Sequence, residues 1–130
     1  MQIFLRFWIK KDNKNFLGKG KVELLEHIGA TGSILKAAKN MKMSYKAAWD
    51  SIDGMNHLAK EPMVQSKSGG KGGGGTVLTA EAQKALAVFK HLECVMDKLQ
   101  AHLGESQDFD ELENKILSLE AKLAPSSIVI

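Results

Sequence analysis

Six glycines surround one lysine in Gly69-Gly70-Lys71-Gly72-Gly73-Gly74-Gly75, and this run constrains the fold more than any other part of the chain. It reads as a loop, flanked by Met63-Val64-Gln65-Ser66 and Thr76-Val77-Leu78 as two short strands. Glycine backbone, bare of side chains, approaches a phosphate more closely than any other surface except a helix N-terminus. Such an N-terminus lies just upstream, where Ser44 caps the helix that begins Tyr45-Lys46-Ala47-Ala48-Trp49-Asp50.

The segment before that helix supplies the rest of a compact motif. Apolar residues Val22, Leu24, Leu25 and Ile28 follow helical spacing from Lys19, with Gly29 as the expected stop. Ser33 is placed to cap a second, short helix from Ile34 to Asn40, whose Ala37 and Ala38 leave room for another helix to cross. Met41-Lys42-Met43 makes a turn. The third helix, from Ser44 to about Lys60, should turn Ala48, Ile52, Met55 and Ala59 to the core, and Pro62 ends it. Two short helices, a tight turn, a longer helix and a hairpin spell a helix-turn-helix with a wing. At the front, residues 2–10 alternate with Ile3, Leu5, Phe7 and Ile9 on one face, which predicts a strand, and Asp12-Asn13-Lys14-Asn15 is a turn.

Thr79 can cap a long helix carrying Ala82, Ala85, Phe89, Leu92, Met96, Leu99 and Leu103 in 3-4 alternation, with Leu86, Val88 and Val95 widening the seam. Gly104 ends it. Asp108 with Glu111 gives a capping-box pattern for a last helix with Phe109, Leu112, Ile116, Leu119 and Leu123 at the same spacing. Pro125 closes that helix, and Ile128-Val129-Ile130 is an apolar tail. Seams this long exceed what one small domain can bury, so Phe89, Leu92, Met96, Leu99 and Leu103 are expected to face a second copy of the chain. The fold class is therefore mainly α with a small β component. A winged domain should span 1–79 and a helical dimerisation extension 80–124.

Charge divides the chain in the same way. Residues 19–75 carry nine lysines against five acids, whereas residues 76–130 carry five lysines against nine acids. The front half suits an anionic partner, and the back is a different kind of surface. Cys94 is the single cysteine, which excludes a disulfide framework and a thiolate metal site; it falls off the seam and should point outward. His27, His57, His91 and His102 lack ligand spacing. Neither a signal peptide nor a membrane-spanning run is present, so the chain reads as soluble and cytoplasmic, with no membrane partner.

Gly70-x-Gly72-x-x-Gly75 matches the dinucleotide fingerprint only literally, because the strand-like Thr76-Val77-Leu78 intervenes where a helix should start. No Gly-Lys-Ser/Thr completes a Walker loop. Asp50 and Asp53 lie one turn apart without a nucleophile, paired base or metal ligand, so no enzyme and no cofactor are expected. Trp49 neighbours Ile52 across the helix and is expected to pack, while Tyr45 and Lys46 stand where a recognition helix reaches bases or phosphates.

Several of these stretches together resemble one family. Thr31-Gly32-Ser33-Ile34, Ala37-Ala38-Lys39, Met43-Ser44-Tyr45-Lys46-x-Ala48-Trp49-Asp50-x-Ile52, Met55-Asn56 and the glycine run through Leu78-Thr79 are similar to the N-terminal domain of ModE-type molybdate-responsive transcription regulators. That domain is a winged helix-turn-helix related to the LysR-type reader. The likeness spans roughly residues 2–103 and implies a homodimer that binds double-stranded DNA at a palindromic operator. It implies DNA-facing positions at Ser33, Ser44, Tyr45, Lys46, Asp50, Lys67, Ser68 and Lys71. Full-length members of the family continue into small β-barrel domains that bind molybdate. No such domain is read in residues 1–130, which leaves a small-molecule effector unassigned. The competing reading is a protein-interaction module in which helices 80–123 hold a partner; a more distant one is a sensor with a ligand pocket at a dimer interface.

Overall fold

The computed structural model describes residues 1–70 and 73–125, and for residues 68–70, 73 and 74 the backbone only. Its elements run β1 (Ile9–Lys11), β2 (Lys14–Leu17), α1 (Lys19–Thr31), α2 (Ile34–Asn40), α3 (Tyr45–Leu58), β3 (Val64–Gly70), β4 (Gly73–Leu78), α4 (Ala80–Leu103) and α5 (Phe109–Leu123). Each pair of strands forms its own antiparallel two-stranded sheet. The order is that of a winged helix-turn-helix followed by long helices. The chain divides into two compact units, Phe7–Lys90 and Met1–Arg6 together with the chain from His91 on.

The winged unit is built around α1. Leu24, Leu25 and Ile28 of that helix are at most 1% exposed, and Ala37, Ala38, Ala48 and Met55 of α2 and α3 cover them. The alanines do what their size permits: α2 packs on both α1 and α3 with small side chains of its own at the contact. Ser33 and Ser44 cap as expected, accepting from Lys36 N–H at 3.1 Å and Ala47 N–H at 3.0 Å. Thr79 caps α4, accepting from Ala82 N–H at 3.2 Å.

Five sequence expectations differ in the structure. Residues 3–8 alternate inward and outward as read, but no strand pairs with them among the described residues; the hairpin is Ile9–Lys11 with Lys14–Leu17. Asp12 and Asn13 both take positive φ, at 51° and 60°, which makes a two-residue turn, so Lys14 and Asn15 belong to the return strand. Gly29 does not end α1, which runs on to Thr31 and stops at Gly32 in the left-handed region, φ 71°. The glycine run is also not all loop, since Gly69, Gly70 and Gly73–Gly75 lie in β3 and β4. Ladder hydrogen bonds use backbone alone, and here they override the poor strand propensity of glycine.

The fifth difference concerns α4. Phe89 is 1% exposed and lies against Phe7, ring centroids 4.8 Å apart, inside the core of the winged unit. Ala82, at 0%, is in the same core. The first turns of α4, beyond the boundary expected after residue 79, thus complete the winged unit, and Phe89 has no surface left for a second chain. What α4 leaves exposed is Val88, Leu92 and Val95.

In the other unit the chain start is tied down by backbone. The Met1 amine donates to the Ser106 carbonyl at 2.6 Å and Ser106 N–H returns a bond to the Met1 carbonyl at 2.8 Å. Leu5 N–H donates to Gln100 Oε1 at 2.9 Å. Leu103, expected in the seam, is buried at 8%. Asp108 caps α5 by accepting from Glu111 N–H, and the Glu111 carboxylate accepts from Gln107 N–H, both at 2.8 Å. That backbone bond holds the Glu111 carboxyl below its ordinary pKa. No residue of α5 is buried, and Phe109, Leu117 and Leu123 are strongly exposed.

Candidate nucleic-acid interface

Short-range bonds fix the helix-turn-helix before any side chain reaches outward. Between α1 and α2, Thr31 Oγ1 donates to the His27 carbonyl at 2.7 Å and accepts from Ser33 N–H at 3.3 Å. Between α2 and α3, Met43 N–H bonds the Ala38 carbonyl at 3.0 Å and Lys42 N–H the Lys39 carbonyl at 3.1 Å. This is a Schellman ending, with Lys42 in the left-handed position at φ 54°. Glycine would adopt that conformation with less strain, but lysine keeps a cation beside the negative end of α2.

The first turns of α3 present two adjoining rows. Tyr45 and Trp49, one turn apart, are 51% and 48% exposed. Trp49 therefore does not pack as its neighbour Ile52 suggested; the core side of α3 is filled by Ala48, Ile52 and Met55 instead. Beside them Lys46 Nζ and Asp50 Oδ2 form an exposed ion pair at 2.9 Å, which holds the Lys46 ammonium above its ordinary pKa. Exposed pairs of this kind are weak, so Lys46 can exchange Asp50 for another acceptor at little cost. The cap hydroxyls of Ser33 and Ser44 accept from backbone and keep their own hydrogens free to donate outward.

The wing is anchored to this motif at both strands. Thr76 N–H donates to the Gly32 carbonyl at 2.9 Å, joining β4 to the α1–α2 turn. A Cβ at Gly75 would stand 2.9 Å from that same carbonyl, and one at Gly29 would stand 2.9 Å from Leu78 Cδ1. Gly29 thus makes room for the wing rather than ending its helix. At the root of β3, Asn56 of α3 accepts from Met63 N–H at 2.7 Å, and Thr79 Oγ1 donates to the Pro62 carbonyl at 2.6 Å. Asn56 stands in the sequence only as part of the Met55-Asn56 stretch of the family resemblance, which gave it no role. The contact at Gly75 gives a direct prediction. Gly75→Ala should destabilise the winged unit by about 1–3 kcal/mol, because a backbone oxygen cannot swing aside as a side chain can. Thermal unfolding measures this, and an unchanged melting temperature would mean that β4 is not pinned against Gly32.

Lys36, Lys39, Lys42, Lys46 and Lys67 are all exposed in the winged unit. Lys67 pairs across the hairpin with Gly75. Ser68 is described by its backbone alone, and Lys71 lies outside the described residues. Among the described residues, no group of three or more His, Cys, Asp or Glu could hold a metal ion, and no helix is long and apolar enough to cross a membrane.

No protein-family model matches the chain. Known proteins do. The chain is 42% identical over 97 residues to the molybdenum-pterin-binding protein MopB of Rhodobacter capsulatus, which covers 75% of this chain and 36% of that protein. It is 39% identical over 98 residues to the DNA-binding transcriptional dual regulator ModE of Escherichia coli K12, covering 75% of this chain and 37% of that one. It is 35% identical over 127 residues to the transcriptional regulator ModE of Yersinia pestis, covering 98% of this chain and 45% of that one. The chain thus spans less than half the length of these relatives. Their likeness supports a winged helix-turn-helix domain of the ModE-like molybdate-regulator family.

Proposed function

We propose that this chain is a sequence-specific DNA-binding transcription regulator of ModE type, acting as a homodimer on a palindromic operator. The observation that carries the reading is the anchoring of the wing to the helix-turn-helix through Thr76 and Gly32, next to an open first turn of α3. That arrangement offers a recognition helix and a basic hairpin as one surface of a single compact unit, which is what a duplex requires. Ser33 and Ser44 at the helix starts, Lys67 and Ser68 of β3 and, from the sequence alone, Lys71 are assigned to the phosphates; Tyr45, Lys46 and Asp50 are assigned to the bases. The names of the relatives attach some of them to molybdenum and its transport, so the controlled genes are proposed to serve molybdenum uptake. The protein is proposed to work in the cytoplasm, where its operator is.

The second copy is assigned to the exposed apolar side chains of α4, centred on Leu92, with Met96 and Leu99 at its flank. Phe109, Leu117 and Leu123 of α5 favour one further reading, in which α5 holds a different protein.

A salt titration tests the DNA assignment. Binding to duplex DNA should weaken steeply with salt, and Lys67→Ala should flatten the slope of log affinity against log salt by about 0.9. Because a phosphate carries no sequence information, the same variant should lose similar factors on specific and random duplexes. An unchanged slope would remove Lys67 from the interface, and salt-insensitive binding would remove the phosphates altogether.

A further inference from the structure

We propose that Tyr45 and Trp49 form an apolar reading row that recognises the 5-methyl groups of thymine in the major groove. The inference rests on the DNA-binding reading above and names what part of the operator this helix selects. Two large aromatic side chains, each about half exposed, stand one turn apart at the start of α3. Neither stacks on another aromatic ring among the described residues. The core has no need of them, since Ala48, Ile52 and Met55 already fill that side of the helix. An apolar row so placed must cover an apolar group on whatever docks there.

The surroundings state the chemistry of the occupant. Lys36 and Lys39 of α2, Lys46 of α3 and Lys42 in the turn between them are all exposed, which suits a polyanion and not an apolar protein face. On the base edges of a major groove, the thymine methyl is the apolar feature on offer; the other features are hydrogen-bond donors and acceptors. The neighbouring polar row reads by exchanging the weak, exposed Lys46–Asp50 pair, 2.9 Å apart, for groups on the bases. The aromatic row needs no such exchange and is presented ready for contact. Sequence preference is thereby expected to come first from thymine positions and second from the polar pair.

The test removes methyl groups and nothing else. A preferred duplex is selected from random sequence with the intact chain, and each thymine is then replaced in turn by uracil. Each methyl that packs on the row should weaken wild-type binding about fourfold when removed, by the ordinary value of burying one such group. Trp49→Ala and Tyr45→Ala should weaken binding to the thymine duplex and abolish the thymine-to-uracil difference at the positions they cover. Trp49→Phe, which keeps a ring, should retain part of that difference and guards against a folding defect in the alanine variants. A wild type indifferent to uracil at every position overturns the proposal while leaving DNA binding intact. So does a pair of alanine variants that keep the full methyl discrimination. Failure to select or bind any duplex overturns the DNA reading itself, and this inference with it.

Discussion

Phe89→Ala should destabilise the winged unit by about 3–5 kcal/mol, the usual cost of emptying a large buried aromatic site. Domains of ordinary stability hold only about 5–15 kcal/mol in reserve, so this variant should melt more than about 10 °C below the parent. The cause is local and visible. Phe89 is 1% exposed and its ring lies 4.8 Å from that of Phe7, between the first extended segment and the core. Alanine would leave Phe7 without its partner and a void that the neighbouring backbone can close only in part. Lys90→Ala, one residue on and exposed, should stay within about 0.5 kcal/mol of the parent. Calorimetry on the three proteins decides the matter. A Phe89→Ala loss below about 1 kcal/mol would return this side chain to the surface, where the heptad spacing alone had placed it.

That misplacement shows what the sequence could and could not convey. Spacing reports which residues share a helix face but not what covers the face. Ala82, Phe89, Leu92 and Leu99 lie on one 3-4 pattern, yet the first two are core and Leu92 is exposed. The caps were legible because they are local: Ser33, Ser44, Thr79 and Asp108 each bond a backbone N–H three residues on. The alternation of Ile3, Leu5, Phe7 and Ile9 was legible as burial and misleading as pairing, because the partner of a strand is set by tertiary structure. The return strand Lys14–Leu17 had a usable signal in Asp12-Asn13, a two-residue loop of types that accept positive φ. Gly29 had none, since its role depends on Leu78, far along the chain. Trp49 was hidden for the same reason: its face borders the core, and only the packed alanine and methionine reveal that no space remains for an indole.

Leu92→Glu should separate the proposed dimer without unfolding either half of it. Leu92 is exposed on α4, as are Val88 and Val95 one turn to either side or nearly so, and none of the three takes part in the buried core of the winged unit. A glutamate there is therefore harmless in a monomer, where water reaches it. Across a dimer seam it would be a charge pressed into apolar surface, which costs several kcal/mol unless the seam opens. Sedimentation should find the parent as a dimer at micromolar concentration and the variant shifted to monomer, with helical signal and melting of the winged unit kept. Operator affinity should fall further than any single base contact could explain. Two linked half-sites gain a factor of about 10²–10⁴ from being held together, and a monomer forfeits it. On an isolated half-site the variant and the parent should bind alike, which separates lost assembly from a damaged recognition helix. The palindrome also has a required geometry: the half-sites of a two-fold dimer lie about 34 Å apart, one turn of DNA, or a multiple of it. If Leu92→Glu leaves sedimentation and operator binding as they were, α4 does not carry the dimer, and the exposed face of α5 becomes the place where a partner must dock.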